Sequence, residues 1–252
     1  MVTIDQLRAI LSADRNWSVY ALADLDQRLF RHCQWFVSEP STLALIYQAP
    51  DPPILFGIGE PEPFAELLSQ ITTPRVYLQI PVHLLGAVEK HYRIKRLIPM
   101  WRMRLEEPVM GTGPTLELSD LDLEDVEQLY RDGAAAGESP DFFFPEMLDR
   151  GVFRGIRENG ELVAVAGTHV VSGLERVAAI GNVYTRRDRR GRGYGRKVTG
   201  GVVLTLCSMG IGAIALNVKQ SNLVARRLYE RLGFVVHCEY YEGLAEKRAK
   251  RK

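Results

Sequence analysis

Cysteine is scarce in this chain of 252 residues. There are three, Cys33, Cys207 and Cys238, an odd number at spacings that suit no metal. A disulfide scaffold and a zinc module are therefore not expected, no metal is expected, and a reducing compartment fits best. Charge of one sign is also missing. Lys and Arg number 32 against 31 Asp and Glu, a formal net charge of +1. Such a chain has no overall field to hold nucleic acid or an acidic membrane. No apolar run is long enough to span a bilayer and no secretory signal is visible, so a soluble cytoplasmic protein is expected. Two phosphate-binding fingerprints are absent as well. No Gly-Lys-Ser/Thr occurs, and no Gly-x-Gly-x-x-Gly opens an early βαβ unit.

What is present is a core: 46% of residues are hydrophobic, enough for one large domain or two ordinary ones. The best linker is Glu107-Pro-Val-Met-Gly-Thr-Gly-Pro114, dense in Pro and Gly. It divides the chain into residues 1–106 and 115–252. In the first part, periodicity predicts a helix over 3–14 and an apolar-periodic segment over Val19–Phe36. Strands follow at Leu43–Gln48, Ile54–Ile58, Arg75–Ile80 and near Ile98–Leu105, with helices over Pro63–Ile71 and Val82–Tyr92. In the second part a short strand, Thr115–Leu118, precedes a helix capped by Ser119 or Asp120. A hairpin turns at Asn159-Gly160, and strands run over 177–185, Ala213–Val218 and Phe234–Tyr241. Helices fill the gaps after 194 and after 222. The basic tail, Lys247-Arg-Ala-Lys-Arg-Lys252, reads as a solvated end.

The two parts echo each other in element order, which suggests a degenerate internal duplication. The earlier copy would lack the means to hold a diphosphate. Its loop is Gly59-Glu-Pro-Glu-Pro63, where prolines remove N–H donors and glutamates repel phosphate. One active site per chain is expected.

The later copy carries Arg190-Gly-Arg-Gly-Tyr-Gly195 between a strand and a helix. Gly193 and Gly195 are expected to let the chain turn sharply and approach a ligand without a Cβ in the way. Such a turn at a helix start aims backbone N–H groups outward, and the helix dipole favours an anion there. Arg187, Arg189, Arg190 and Arg192 crowd the same turn. A diphosphate suits it, although an Arg/Gly run also fits a nucleic-acid contact or a solvated loop. Aromatic interleaving is thin, with Tyr194 alone, which disfavours nucleic acid. The pattern Arg190-x-x-Gly193-x-Gly195 resembles the acyl-CoA pyrophosphate loop of the GNAT superfamily of N-acyltransferases. Further on, Asn222-Leu-Val-Ala225-Arg-Arg-Leu-Tyr229-Glu-Arg-Leu-Gly233-Phe234 resembles that superfamily's second motif, in the right order. Asn222, Arg226 and Tyr229 share one helix face. The likeness spans about residues 115–242.

The resemblance implies an α/β fold, a mixed and mostly antiparallel sheet flanked by helices, in two tandem halves of which only the later binds CoA. It implies acetyl-CoA or another short acyl-CoA as co-substrate and a small-molecule primary amine as acceptor. Val183, Tyr184 and Thr185 would pair with the pantetheine arm. Arg190, Gly191, Arg192, Gly193, Tyr194 and Gly195 would hold the diphosphate with Arg196 close by, and Asn222 and Arg226 would line the site. Tyr229 would protonate the leaving sulfur, since a phenol near pKa 10 is protonated at neutral pH. Asn222 serves equally well as a helix cap. Phe142, Phe143, Phe144 and Met147 either wall the acceptor site or fill the core. More narrowly, the run Ala179-Ile-Gly-Asn-Val-Tyr-Thr185 resembles the glycine N-acyltransferase-like branch, which often has Glu where this chain has Ala179. The acidic base is thus missing, and His169, His237 and Glu239 are the remaining side chains to consider. A CoA-binding module with little or no turnover is the alternative. Nothing in the sequence argues against a homodimer.

Overall fold

The first residues show how local chemistry starts an element. Thr3 accepts a hydrogen bond from the Gln6 backbone while the Gln6 side chain accepts from Thr3, closing a capping box on helix α1 (Ile4–Ser12). Leu7 and Leu11 are its buried face. The computed structural model describes residues 2–38, 41–109, 113–134, 137–140 and 142–249. The linker residues 110–112, the tail residues 250–252, and 135, 136 and 141 of the small-then-aromatic segment lie outside the described residues.

Two compact units result. The first comprises residues 1–102, 219–221 and 236–252; the second comprises 103–218 and 222–235. In the first unit, α2 (Val19–Ala23), α3 (Gln27–Phe30) and strand β1 (Cys33–Ser38) occupy the segment expected to be periodic over Val19–Phe36. Asp26 breaks that periodicity by capping α3 through the Arg28 N–H, and Trp35, Phe36 and Val37 then favour a pleated strand. Next come β2 (Thr42–Tyr47), β3 (Ile54–Ile58), α4 (Pro61–Gln70), β4 (Arg75–Pro81), α5 (Leu85–His91) and β5 (Tyr92–Leu105). Tyr92 therefore opens a long strand where a helix end was expected. The chain's last strand also supplies residues to this unit, and the strand order is β1, β2, β3, β4, that last strand, β5. β1 with β2, β2 with β3 and β4 with the last strand pair antiparallel, whereas β3 and β4 are parallel from Ile54–Tyr77 to Phe56–Gln79. Phe64 and Leu68 of α4 and Val88 of α5 pack on Ile46, Val76 and Leu78.

The second unit has β6 (Leu116–Glu117), α6 (Leu123–Ala134), α7 (Glu146–Arg150), β7 (Arg154–Glu158), β8 (Glu161–Ser172), β9 (Val177–Thr185), α8 (Tyr194–Ser208), β10 (Ala213–Lys219), α9 (Leu223–Glu230) and the start of β11 (Phe234–Lys247). Its strand order is β10, β9, β8, β7, β6, antiparallel except for β9 with β10. Asn159 and Gly160, at φ 51° and 86°, make the expected tight turn between β7 and β8. On one face, Val126, Leu129 and Tyr130 of α6 and Leu148 of α7 meet Phe153, Val165 and Tyr184. Val198, Val202, Val203 and Leu206 are the buried aliphatic side chains of α8. The architecture is a mixed, mostly antiparallel sheet flanked by helices.

Candidate active site

β9 and β10 run parallel and in register from Val177–Ala213 to Ile180–Leu216, where their pairing ends. Just past that fork, β9 also breaks its register with β8. Val165 faces Tyr184 and Gly167 faces Gly181, so Asn182 and Val183 oppose one residue, a β-bulge. Asn182 takes φ 55° there. A bulge at a fork leaves main-chain groups free to pair with an extended ligand as an added strand would. Val183 lies in this bulge. Tyr184 presents only its backbone, because its ring is buried against α6 and its hydroxyl donates to Asp132 at 2.8 Å. The Thr185 carbonyl already accepts from Arg190 Nε at 3.2 Å.

Below the fork lies the loop. Gly191 and Gly193 both adopt φ 78°, a left-handed conformation that L side chains rarely take, and a Cβ at either would meet open space. Gly193 is the N-cap of α8 and offers no side chain to cap it. The first intrahelical bond of α8 is from Lys197 N–H to the Gly193 carbonyl, 3.1 Å, which leaves the N–H groups of Tyr194, Gly195 and Arg196 without helical acceptors. Uncapped donors at the positive end of a 15-residue helix suit the two phosphates of a CoA. Gly195 also keeps the helix close, since a Cβ there would come within 3.2 Å of Leu228 on α9.

The arginines are less free than the sequence suggests. Arg190 pairs with Glu138 at 2.7 Å and lies over the Tyr184 ring, and Arg187 sits 3.9 Å from Glu138. Arg189 and Arg192 meet Glu158 at 2.7 and 3.5 Å, and the Tyr194 hydroxyl donates to that same carboxylate. Both carboxylates are held below the usual range: Glu138 by Arg190, Glu158 by the Tyr194 hydrogen bond and then by Arg189. Among the described residues Arg196 is exposed and has no acidic partner. Glu138 and Glu158 escaped the sequence reading because one lies on a loop and the other at a hairpin turn, far along the chain from the arginines they neutralise.

α9 completes the site. Asn222 caps it, its Oδ1 accepting from the Ala225 N–H at 3.0 Å, so of the two roles open to it the carbonyl takes the cap and its amide donors remain. Arg226 reaches Glu230 at 2.7 Å along its own helix. Tyr229 is 8% exposed and stands edge-on to Phe234 at 6.2 Å. Among the described residues its hydroxyl has no hydrogen-bond partner, and burial pushes its pKa up to about 12. It is a phenol kept protonated with its proton uncommitted.

Of the aromatic wall, Phe143 packs edge-on to Tyr130 and Phe153 at 5.1 and 6.2 Å, Met147 accepts from the Asn182 amide at 3.4 Å, and Phe144 is exposed. Ala179 is fully buried opposite Val170 and offers no acid or base. His237 and Glu239 belong to the first unit. His237 is paired to Asp14 at 2.8 Å, and Glu239 borders a cavity of about 510 Å³ with Trp17, Gly59 and His83. Among the described residues, no cluster of three or more His, Cys, Asp or Glu could hold a metal, and no helix is long and apolar enough to cross a membrane.

Comparison with known proteins places this geometry. A model of the acetyltransferase (GNAT) family matches residues 121–234, the stretch that holds the fork, the loop and Tyr229. No curated protein sequence matches the chain. Among solved structures, a GNAT-family protein from Novosphingobium aromaticivorans is 23% identical over 94% of this chain and 100% of its own, with a TM-score of 0.64. A GCN5-related N-acetyltransferase-like protein from Streptococcus suis is 18% identical over 97% and 99%, TM-score 0.59. A Drosophila protein is 12% identical over 96% and 95%, TM-score 0.67. The chain has the fold of the GNAT acetyltransferases.

Proposed function

We propose that this protein is an acyl-CoA-dependent N-acetyltransferase that moves an acetyl or short acyl group to the primary amine of a small molecule or amino acid, and that it is akin to the glycine N-acyltransferase-like branch. The observation that carries this reading is the uncapped N-terminus of α8, with two left-handed glycines in front of it and no side chain to satisfy its donors. That is an anion seat at the foot of a forked strand, and it supports assigning the CoA diphosphate to this point. The main chain of Val183, Tyr184 and Thr185 pairs with the pantetheine arm. Gly191, Arg192, Gly193, Tyr194, Gly195 and Arg196 take the phosphates, Arg190 braces the loop, and Asn222 and Arg226 border the arm. Tyr229 donates its hydroxyl proton toward the departing sulfur. A backbone N–H of the bulge polarises the thioester carbonyl.

The first unit, in this reading, is a degenerate repeat. Its strands β3 and β4 fork after Phe56–Gln79, but the loop beyond is Glu60-Pro-Glu-Pro63, with Pro61 at the first turn of α4. It has the fork without the donors, so each chain has one CoA site. The protein acts in the cytoplasm and needs no metal.

Ala179 favours a second reading, a CoA-binding module without turnover. One experiment separates the two: thermal shift of the purified chain with CoA and acetyl-CoA, alongside free-thiol release over a panel of amines and amino acids. Stabilisation with release supports the enzyme. Stabilisation without release for any amine supports the module. No stabilisation by either ligand at saturating dose sinks both.

A further inference from the structure

We propose that the first unit carries a binding site of its own, for a small organic cation: a primary ammonium on an apolar body. Three strands part at one place in that unit. The parallel pairing of β3 with β4 ends at Phe56–Gln79. The ladder of β11 on β4 begins only at Tyr240–Pro81, because β4 stops there and passes into a 3₁₀ turn, Val82–Leu84. Residues 237–239 of β11 therefore run on without β4 beside them. The crevice beyond the carboxyl ends of parallel strands is where open α/β sheets take ligands. Here it is a cleft of about 510 Å³, a volume typical of small-molecule sites, and Asp14, Trp17, Ile58, Val82, His83 and Glu239 are among its walls. All six belong to the first unit.

Two main-chain carbonyls past the fork are already satisfied by side chains. Trp17 Nε1 donates to the Gly57 carbonyl at 3.0 Å, and His83 Nε2 lies 3.0 Å from the Gly59 carbonyl. A carbonyl only accepts, so that imidazole nitrogen carries a proton, and in the neutral ring Nδ1 keeps a lone pair for an N–H donor. An extended arm seeking strand-like pairing meets occupied acceptors here, so recognition falls to side chains. Both faces of the Trp17 indole are covered: Phe56 stacks on it at 5.3 Å and Arg102 lies over it at 5.1 Å. The cleft is left the ring edge, with Ile58 and Val82 as further apolar contacts.

Charge sets the sign of the ligand. Two carboxylates, Asp14 and Glu239, border the cleft, and among the described residues lining it there is no Lys or Arg. Burial alone would raise the Asp14 carboxyl, but hydrogen bonds from His237 at 2.8 Å and from the Trp17 N–H at 3.0 Å outweigh it and hold the group below the usual range, so it is ionised. Glu239 lies two residues from His237 on β11, on the same face of the strand, which brings the second carboxylate to the Asp14 side. Glu239 is exposed, and among the described residues it has no hydrogen-bond or ion-pair partner, so its charge is uncommitted. Arg102 is fully buried among the rings of Trp17, Tyr20 and Tyr240, 5.0–5.4 Å from their centroids, and does not line the cleft. An anion entering it would meet carboxylates, whereas an ammonium gains two of them and the His83 lone pair.

The test is an NMR titration of the full chain with phenethylamine, set against phenethyl alcohol and phenylacetate as its neutral and anionic counterparts, following the Trp17 indole N–H and the Val82 and His83 amides. The expected result is saturable movement of those signals with the amine, and binding weaker by about tenfold or more for the alcohol and the acid. Glu239→Gln and Val82→Lys, both at exposed positions, should each weaken the amine by about fivefold or more and leave the melting temperature at its wild-type value. No saturable movement of these signals overturns the site. Alcohol bound as tightly as amine overturns its preference for a cation, and an amine affinity unchanged in both variants puts the binding elsewhere and overturns the assignment. None of these outcomes touches the thermal shift with CoA, on which the acetyltransferase reading stands or falls separately.

Discussion

Tyr229→Phe separates chemistry from packing because of how Tyr229 is held. The substitution deletes one oxygen and keeps the ring, so the edge-on contact with Phe234 at 6.2 Å survives. Among the described residues no group donates to or accepts from that oxygen, so none is orphaned by its loss. Stability should therefore change by no more than about 0.5 kcal/mol. Catalysis should change far more. A thiol has a pKa near 8.5, and the buried phenol sits at about 12. Proton transfer from an isolated Tyr229 to a thiolate would be uphill by about 3.5 units, roughly 5 kcal/mol. In the proposed reaction Tyr229 would therefore act as a relay, giving its proton to sulfur while the acidic nitrogen of the collapsing adduct restores it. Losing a positioned proton donor costs about 10²-fold to 10³-fold in kcat, roughly 2.7–4 kcal/mol of barrier. The assay is stopped-flow thiol release under saturating acyl-CoA, with calorimetry for CoA affinity, which should stay within about twofold. Because the phenol remains protonated well above neutrality, the wild-type rate should show no loss attributable to Tyr229 below about pH 11. Turnover by the Phe variant equal to wild type would refute the relay.

Gly193→Ala should weaken CoA by about tenfold or more in calorimetry while lowering stability by only about 1–2 kcal/mol, since φ 78° penalises a side chain but the added Cβ meets nothing. Gly233→Ala is the opposite case: φ 91° and a Cβ 1.7 Å from the Glu107 carbonyl oxygen should cost more than about 3 kcal/mol in denaturant unfolding or abolish soluble expression. Arg196→Ala should reduce CoA affinity and flatten its salt dependence more than Arg189→Ala does, because Arg189 is already paired with Glu158 at 2.7 Å. Among the described residues Asp24 in the first unit is buried without a charged partner, and burial pushes its carboxyl up to about 8, above its unfolded value near 3.8. Stability from this group is intact below about pH 4 and is lost as pH rises toward 8, so Asp24→Asn should raise Tm at pH 8 and change it little at pH 4.

How far the sequence reaches is clearest where a residue type has few options. Gly193 was legible because a left-handed backbone is close to a glycine monopoly, and Asn159-Gly160 because few other pairs make that turn; Gly195, expected to turn beside it, lies inside α8, and Gly191 takes the other left-handed position. Strand and helix order followed from periodicity, which is local. The failures share a cause: they depend on partners distant in sequence. Val19–Phe36 looked like one periodic segment because nothing nearby announces that Cys33–Ser38 will pair with Thr42–Tyr47. The arginine-rich loop looked like a cluster of free cations because Glu138 and Glu158 reach it only through the fold. Ala179 read as a vacancy in the machinery because the resemblance was followed along one strand at a time. What β8 presents beside it, and what α6 and α7 present against the sheet, are relations between strands and helices that no single segment carries.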